Sequence, residues 1–203
     1  GEVAIPPNQH QPKNRTGAVA IHGDTLVVAA PRDDSGPSGQ VGAAYVFRRT
    51  GTVWSQEARL AKPPPSAEGF ATSVAVGGDV VLVGHPTDNP FGGGSDYGSV
   101  HVFVRDAGVW ALDQSLTVPG LNQKPRLGES VAFERTGPDS GLALIGKPTN
   151  GGNPGSIFAF ELGAGGWTQL AEFAPAGGGQ SGDLFGQSLA LQGDTALAGA
   201  PGH

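Results

Sequence analysis

Length, composition and charge exclude several classes of protein. The chain has 203 residues, a formal net charge of −6 at pH 7, no cysteine and no methionine. The acidic balance and scattered Lys and Arg argue against nucleic acid or an anionic membrane surface as a partner, and no apolar run is long enough to insert into a membrane. Without cysteine, neither disulfides nor thiolate metal sites can form, and the length fits one domain or a piece of a larger protein.

The first fifteen residues, 1–15, resemble the end of a repeat rather than its beginning. Glu2–Ile5 aligns with segments that close later units, so it is predicted to be the end of a fourth strand of a preceding blade, followed by a linker. The sequon Asn14-Arg15-Thr16 makes Asn14 a candidate glycosylation site if the source glycosylates secreted proteins.

Residues 16–203 repeat one skeleton. We divide them into repeat 1 (16–69), repeat 2 (70–126), repeat 3 (127–184) and a partial repeat 4 (185–203). In each, a Pro ends a short apolar run, and repeats 1 to 3 then continue with a Gly, a Phe five residues later and a Trp seven residues after that Phe. The landmark prolines are Pro31, Pro86, Pro148 and Pro201. Such constant spacing within variable surroundings indicates a repeat architecture.

Each complete repeat contains four apolar runs that tend to alternate. In repeat 2 they are Ser73–Val76, Val80–Gly84, Ser99–Val104 and Val109–Leu116, separated by Gly, Asp and Pro. Runs of this length and composition predict strands joined by tight turns, and no sustained helical spacing is present. The predicted fold class is therefore all-β, with about four β-propeller-type blades of four antiparallel strands, the first and last incomplete. We interpret the recurring Trp as packing residues between blades.

The loops after the landmark prolines vary most in length, and loops on a fixed scaffold are where binding residues usually lie. Repeat 3 also contains an insert, Glu134–Ser140, after which the Gly-Asp turn of the other repeats is expected to become Ser140-Gly141.

With these residues laid out, the chain resembles the FG-GAP repeat family, whose units build the propeller of integrin α subunits. Phe185-Gly186 followed by Gly199-Ala200-Pro201 shows the name-giving pattern, and each of the other repeats departs from it in two letters, one in each half. The resemblance implies a propeller fold. It is less specific for function, because similar repeats occur in adhesion receptors, secreted bacterial proteins and propeller lectins.

The family often binds calcium through loops with alternating acidic residues, so calcium is the one cofactor that the resemblance raises, and otherwise no cofactor is expected. The comparable loop positions here are Asp33, Asp34, Asp88, Asn89 and Asp96. None shows the alternating acidic spacing of a calcium loop, and a solvated acidic turn is the other interpretation.

The sequence offers little support for a histidine metal site, a nucleophilic serine or a phosphate-binding loop. None of the five histidines is expected to share a metal-ligand spacing with a second His or a carboxylate. No G-x-S-x-G elbow is present, and the Gly-rich stretches lack the Lys-Ser/Thr of a phosphate loop. We therefore expect that the protein is not an enzyme.

Three arrangements of the chain ends remain open. The terminal segments could close a ring within one molecule, complete the blade of a neighbouring molecule, or belong to a longer protein. The first hypothesis for function is a non-enzymatic, extracellular or cell-surface module with a structural or adhesive role, which binds protein partners or assembles head to tail by sharing strands. The alternatives are a carbohydrate-binding propeller that uses the loops after the landmark prolines, and a calcium-dependent, integrin-like ligand-binding module.

Overall fold

The strands follow the order of the repeats. The computed structural model describes residues 17–33, 42–62, 69–92, 96–121, 124–148 and 152–202. The first sheet contains β1 (Val19–His22), β2 (Thr25–Ala30), β3 (Ala43–Thr50) and β4 (Val53–Leu60). The second contains β5 (Ser73–Gly77), β6 (Val80–His85), β7 (Ser99–Asp106) and β8 (Val109–Leu116). The third contains β9 (Val131–Gly137), β10 (Ser140–Lys147), β11 (Ser156–Gly163) and β12 (Gly166–Phe173), and a two-stranded sheet contains β13 (Ser188–Gln192) and β14 (Thr195–Gly199).

Each sheet is an antiparallel meander in which neighbours in sequence are neighbours in space. Over the described ranges the fold is all-β, which confirms the predicted class, and the last repeat contributes two strands there. No helix in these ranges has the length and apolarity needed to cross a bilayer. The proposed fourth-strand segment Glu2–Ile5 lies outside the described residues.

Tight two-residue turns connect the first strand to the second and the third strand to the fourth, and the Gly and Asp positions predicted turns there. Gly23, Gly78 and Gly193 open the turn between the first and second strands, with φ of 57°, 62° and 54°. Repeat 3 differs from its prediction, because its turn consists of Pro138 and Asp139. Gly141 instead lies inside β10, where the register shifts between Ser140 and Gly141. The expected turn at Ser140-Gly141 was wrong, because the insert lengthens β9 and Pro-Asp supplies the bend.

The sheets pack as propeller-type blades. The first strands of the four sheets, β1, β5, β9 and β13, lie beside one another in chain order. Because side chains alternate along a strand, each sheet offers one apolar face to the preceding sheet and one to the following sheet. One buried cluster joins the first and second sheets, another joins the second and third, and a smaller one joins the third sheet to β13. Trp110 and Trp167 pack, partly buried, against these clusters, as predicted for the recurring Trp.

Glycine recurs where adjacent blades approach most closely. Gly98 has a φ of 81°, and a Cβ there would lie 2.2 Å from the carbonyl oxygen of Leu127, the first residue of the next repeat. A Cβ on Gly84 would lie 2.1 Å from the carbonyl oxygen of Gly128. Any side chain at either position would push neighbouring blades apart, so the landmark spacing is set by contact between blades.

A bulge recurs in the fourth strand of each four-stranded sheet, opposite the landmark Phe. The register shift leaves one extra residue in each case, and these residues are Glu57, Asp113 and Leu170. In the first sheet the extra residue connects two blades. The carboxylate of Glu57 accepts hydrogen bonds from Arg105 at 2.7 and 3.1 Å and from the indole N–H of Trp110 at 2.8 Å. The bulge thus aims its extra residue at the outer strands of the following blade.

Candidate functional site

A buried aspartate begins the loop after the second strand in repeats 1 and 2. Asp33 and Asp88 each follow the landmark Pro by two residues, and each is 3% exposed. Their backbone N–H groups donate to carbonyl oxygens three residues earlier, at 3.0 and 3.1 Å. This tight turn directs both carboxylates back toward the blade, where each meets side chains of the third strand.

In repeat 1 the carboxylate of Asp33 is held by a phenol and a guanidinium. The Tyr45 hydroxyl donates to Asp33 Oδ2 at 2.7 Å, and Arg59 Nε donates to the same oxygen at 2.7 Å. Burial, followed by the hydrogen bond to the Asp33 carboxylate, raises the pKa of Tyr45 to about 12. Both partners belong to the outer two strands, so the cluster fastens the loop to the outer part of the blade.

In repeat 2 the partners of Asp88 are more numerous. Ser99 donates to Asp88 Oδ2 at 2.6 Å, and the ammonium of Lys62 pairs with Oδ1. Nε2 of His101 lies 3.6 Å from Oδ2, and Nδ1 of His85 lies 3.8 Å from Oδ1. Burial alone would raise the pKa of Asp88, but interactions with His101, Lys62 and Ser99 outweigh burial and hold that pKa far below its usual range.

The expectation that no histidine shares a metal-ligand spacing was wrong for His85 and His101. One ligand atom from each histidine and one from Asp88 all lie within 4.8 Å of one another, and all three residues are buried. The strand register explains the arrangement: His85 pairs with Ser99, and His101 lies two residues further along the same face of the sheet. His85 and Asp88 are only three residues apart in sequence, and this spacing was overlooked. The contribution of His101 required knowledge of the strand pairing.

The candidate calcium ligands that the structure describes do not come together in one site. Asp33 belongs to the first blade, and Asp88 and Asp96 to the second. Asp96 lies 3.8 Å from the ammonium of Lys124, so the described carboxylates already face cations. Asn89 bonds locally, with its amide donating to the carbonyl of Thr87 at 3.2 Å. Asp34 and the glycosylation candidate Asn14 lie outside the described residues, and calcium binding stays a prediction.

Apolar surface is uncovered beside the two-stranded sheet. A cavity of about 710 Å³ lies between the outer strands of the third sheet and β13–β14. Its lining includes Leu142, Ile157, Leu170, Phe173 and Ala198. Leu170 and Phe173 are 54% and 51% exposed. In the earlier blades the corresponding space is filled by the third and fourth strands of the next sheet.

The opposite end of the described blades has a second apolar face. A cluster of Tyr45, Phe47 and small residues, with Leu26, Val28 and Trp54 packed against it, lies on the side of the first sheet that faces away from the second. At the inner strand, Val19 and Ile21 are 68% and 64% exposed. Tyr45 and Phe47 are buried, so on this side it is the inner strand β1 that exposes apolar side chains.

An aromatic pair marks the loop after Pro86. The rings of Phe91 and Tyr97 meet edge to face with centroids 5.7 Å apart, and Phe91 is 51% exposed. An exposed aromatic ring offers a large apolar face on which a ligand group can pack. This is a surface feature and is separate from the buried Asp88 cluster.

Comparison with known proteins agrees with the repeat architecture. The family described as FG-GAP repeat matches residues 17–47, 54–103 and 167–203, which together form more than half of the chain. A search of curated proteins found no match. Among solved structures, a mutant of the Bombyx mori GH32 beta-fructofuranosidase BmSUC1 in complex with sucrose is similar to 90% of this chain, with 13% sequence identity and a TM-score of 0.47. This chain spans 41% of that enzyme.

Proposed function

Because the chain belongs to the FG-GAP repeat family, we propose that it is a non-enzymatic, extracellular or cell-surface module with a structural or adhesive role, whose copies associate head to tail. The observation that carries the proposal is the uncovered apolar surface beside β13 and β14. Monomeric proteins rarely leave a large contiguous apolar patch in water, and such patches usually bind a partner. The partner proposed is the first blade of a second copy.

The series of bulge residues supports an apolar partner at this end. Glu57 of the first blade reaches Arg105 and Trp110 of the second, and so makes a polar contact with the following blade. Leu170 occupies the same place in the third blade and is 54% exposed. Burying this leucine against apolar side chains of a partner would favour association by about 25 cal/mol per Å² of apolar surface removed from water.

The unpaired edge of β14 supports the same association. Within the described residues β14 pairs only with β13 and has no partner strand on its other edge, and such an edge can pair with a further strand. A strand added from a neighbouring molecule would extend the sheet of β13 and β14 and would at the same time cover the cavity. This mode combines backbone hydrogen bonds with side-chain packing, as in other cases of strand addition between proteins.

The test is the molecular mass of the purified chain as a function of concentration, measured by sedimentation equilibrium. We expect a mass that rises from the monomer value of 20.4 kDa. The Leu170→Glu variant should stay monomeric, because a charge would be placed in the contact. The matched control is Val109→Glu, since Val109 is 67% exposed on the fourth strand of the second blade, away from the terminal faces. The proposal fails if the wild-type chain stays at the monomer mass up to its solubility limit, or if both variants behave alike.

Carbohydrate binding is the second candidate function, and the exposed ring of Phe91 favours it. Stacking on Phe91 with Tyr97 at its edge would leave one face of a sugar in contact with the ring. A glycan array is the direct test, and Phe91→Ala should abolish any signal while Leu112→Ala, at another exposed apolar residue, should keep it. No signal on a broad array would remove this candidate.

The third candidate, calcium-dependent ligand binding, depends on the loop aspartates. It requires that calcium compete with Arg59 at Asp33 or with Lys62 at Asp88. A chelator should then lower the melting temperature of the protein, and an unchanged melting temperature would remove the candidate.

A further inference from the structure

The buried cluster of repeat 2 contains more metal-ligating groups than loop anchoring requires. In repeat 1 the described contacts of the loop aspartate are with a phenol and a guanidinium, those of Tyr45 and Arg59. In repeat 2 the aspartate is joined by two buried imidazoles, 1% and 2% exposed. We infer that His85, Asp88 and His101 form a binding site for a divalent transition-metal ion, with zinc as the best match.

The spacing of the ligand atoms suits one ion. Zinc bound to imidazole nitrogen and carboxylate oxygen at about 2.0–2.2 Å in a tetrahedron places its ligand atoms roughly 3.4 Å apart. His101 Nε2 lies 3.6 Å from Asp88 Oδ2, and His85 Nδ1 lies 3.8 Å from Asp88 Oδ1. The widest separation among the three ligand atoms is within 4.8 Å, so the side chains must close by somewhat more than 1 Å at most. Three protein ligands leave the fourth position to water.

The second nitrogen of His101 has the partner that a metal-bound imidazole needs. Nδ1 of His101 lies 2.7 Å from the hydroxyl of Ser115. A metal-ligating histidine usually donates its other N–H to such a group, which fixes the ring and the tautomer. A hydroxyl can both donate and accept a hydrogen bond. In the metal-free protein, with the proton on Nε2, Nδ1 of His101 accepts from Ser115. When Nε2 binds the ion, the proton is on Nδ1, which donates to Ser115.

The other blades show that the scaffold forms without these ligands. Strand pairing makes Ala30 of repeat 1 and Lys147 of repeat 3 the equivalents of His85, since each pairs with the first residue of the third strand in its sheet. By the same register, Tyr45 and Phe158 are the equivalents of His101. In repeat 3 the ammonium of Lys147 lies 5.7 Å over the ring of Phe158. The paired histidines are thus specific to repeat 2 and are not required by the fold.

In the metal-free protein, Lys62 supplies the positive charge beside Asp88 that a bound metal ion would otherwise supply. Its ammonium pairs with Asp88 Oδ1, and its side chain is 20% exposed. Lys62 can therefore swing into solvent when a divalent cation binds, and the aspartate keeps a cationic partner in both states. Two imidazoles and one carboxylate select zinc-like ions over calcium and magnesium, which prefer sites made of oxygen ligands.

The experiment is a titration of the purified full chain with zinc alone, read by competition with a chromophoric chelator. We expect one zinc ion per chain and no comparable binding of calcium. His101→Phe, which installs the residue of repeat 3, should weaken binding by more than about a hundredfold, and Ser115→Ala by about tenfold. Lys62→Met should tighten binding by about tenfold, because it removes the competing charge and keeps the aliphatic stem.

Two further measurements keep the test independent of folding. His22→Ala is the matched control, since His22 is exposed on the first blade and contacts Gly78 N at 3.1 Å, and it should bind zinc as the wild-type chain does. Cobalt should give the visible absorption of a tetrahedral ion in the wild-type chain and not in His101→Phe. If His101→Phe does not fold, His85→Ala replaces it, because repeat 1 carries alanine there. Equal affinity of the wild-type and cluster variants, or equal loss in His22→Ala, overturns the inference.

Discussion

The buried phenol of Tyr45 provides the sharpest test of how the loops are fastened. Its side chain is fully buried, and its hydroxyl donates to the Asp33 carboxylate at 2.7 Å. Tyr45→Phe removes the hydroxyl and leaves the packing of the ring intact. A hydrogen bond to a charged group contributes about 1.5–3 kcal/mol to the free energy of unfolding. We expect Tyr45→Phe to lower this free energy by about 2 kcal/mol, because Asp33 keeps its contacts with Arg59.

The ionisation of Tyr45 is a separate test, which reports the burial of the phenol first and its hydrogen bond to Asp33 second. Its pKa rises from the ordinary value of 10.0 to about 12, mainly through burial and then through the hydrogen bond to Asp33. At 1.36 kcal/mol per pH unit, this corresponds to roughly 2.7 kcal/mol in favour of the neutral phenol in the folded state. Because the pKa is raised on folding, the contribution is complete below pH 10 and is lost as the pH rises toward 12.

Urea unfolding and absorbance titration measure the two quantities. The chain has two tyrosines, so in a Tyr97→Phe background the near-ultraviolet signal of tyrosinate reports Tyr45 alone. Tyr97→Phe is also the control for stability and should change the free energy of unfolding by less than about 0.5 kcal/mol. The reasoning is refuted if Tyr45→Phe costs no more than this control, or if Tyr45 ionises near pH 10 in the folded protein.

Three further predictions concern contacts between and within blades. Gly146→Ala should destabilise by about 3 kcal/mol or more in denaturant unfolding, because its Cβ would lie 2.1 Å from a carbonyl oxygen of the next repeat. Glu57→Ala should cost about 1–2 kcal/mol by losing its hydrogen bonds from Arg105 and Trp110, whereas Asp24→Ala, in an exposed ion pair, should cost under about 0.5 kcal/mol. Since the pKa of Asp88 is lowered on folding, the stability that it contributes should be lost as the pH falls below about 4, and Asp88→Asn should flatten this acid dependence of unfolding.

The blades were predictable because local chemistry decides them. Alternating apolar runs, Gly at turn positions and the constant spacing of Gly, Phe and Trp all depend on residues within one repeat. In repeat 2 the four predicted strands differ from the observed ones by two residues or fewer at their ends. The turn in repeat 3 was missed because both Pro138-Asp139 and Ser140-Gly141 have turn-forming composition, and only strand pairing decides between them.

The buried clusters were harder to predict because they depend on distances across strands. Asp33 looked like a solvated loop residue, but its turn directs it into contact with Tyr45 and Arg59, twelve and 26 residues away. The same holds for His101, whose position near Asp88 follows from the register of β6 and β7. A sequence pattern shows which residues share a strand face, but it does not show which residues of the neighbouring strand they lie beside.

The two proposals can be tested separately, because they concern different parts of the molecule. The histidine cluster lies in the second blade, whose faces are covered by the first and third blades, whereas Leu170 lies on the face of the third blade beside β14. Zinc should therefore raise the melting temperature of the Leu170→Glu variant as much as that of the wild-type chain, and His101→Phe should assemble as the wild-type chain does. Calorimetric melts and sedimentation on both variants provide the comparison. If zinc alone changes the mass of the wild-type chain, or if Leu170→Glu loses zinc affinity, the blades do not act as separate packing units and the second and third blades must be coupled through their shared core.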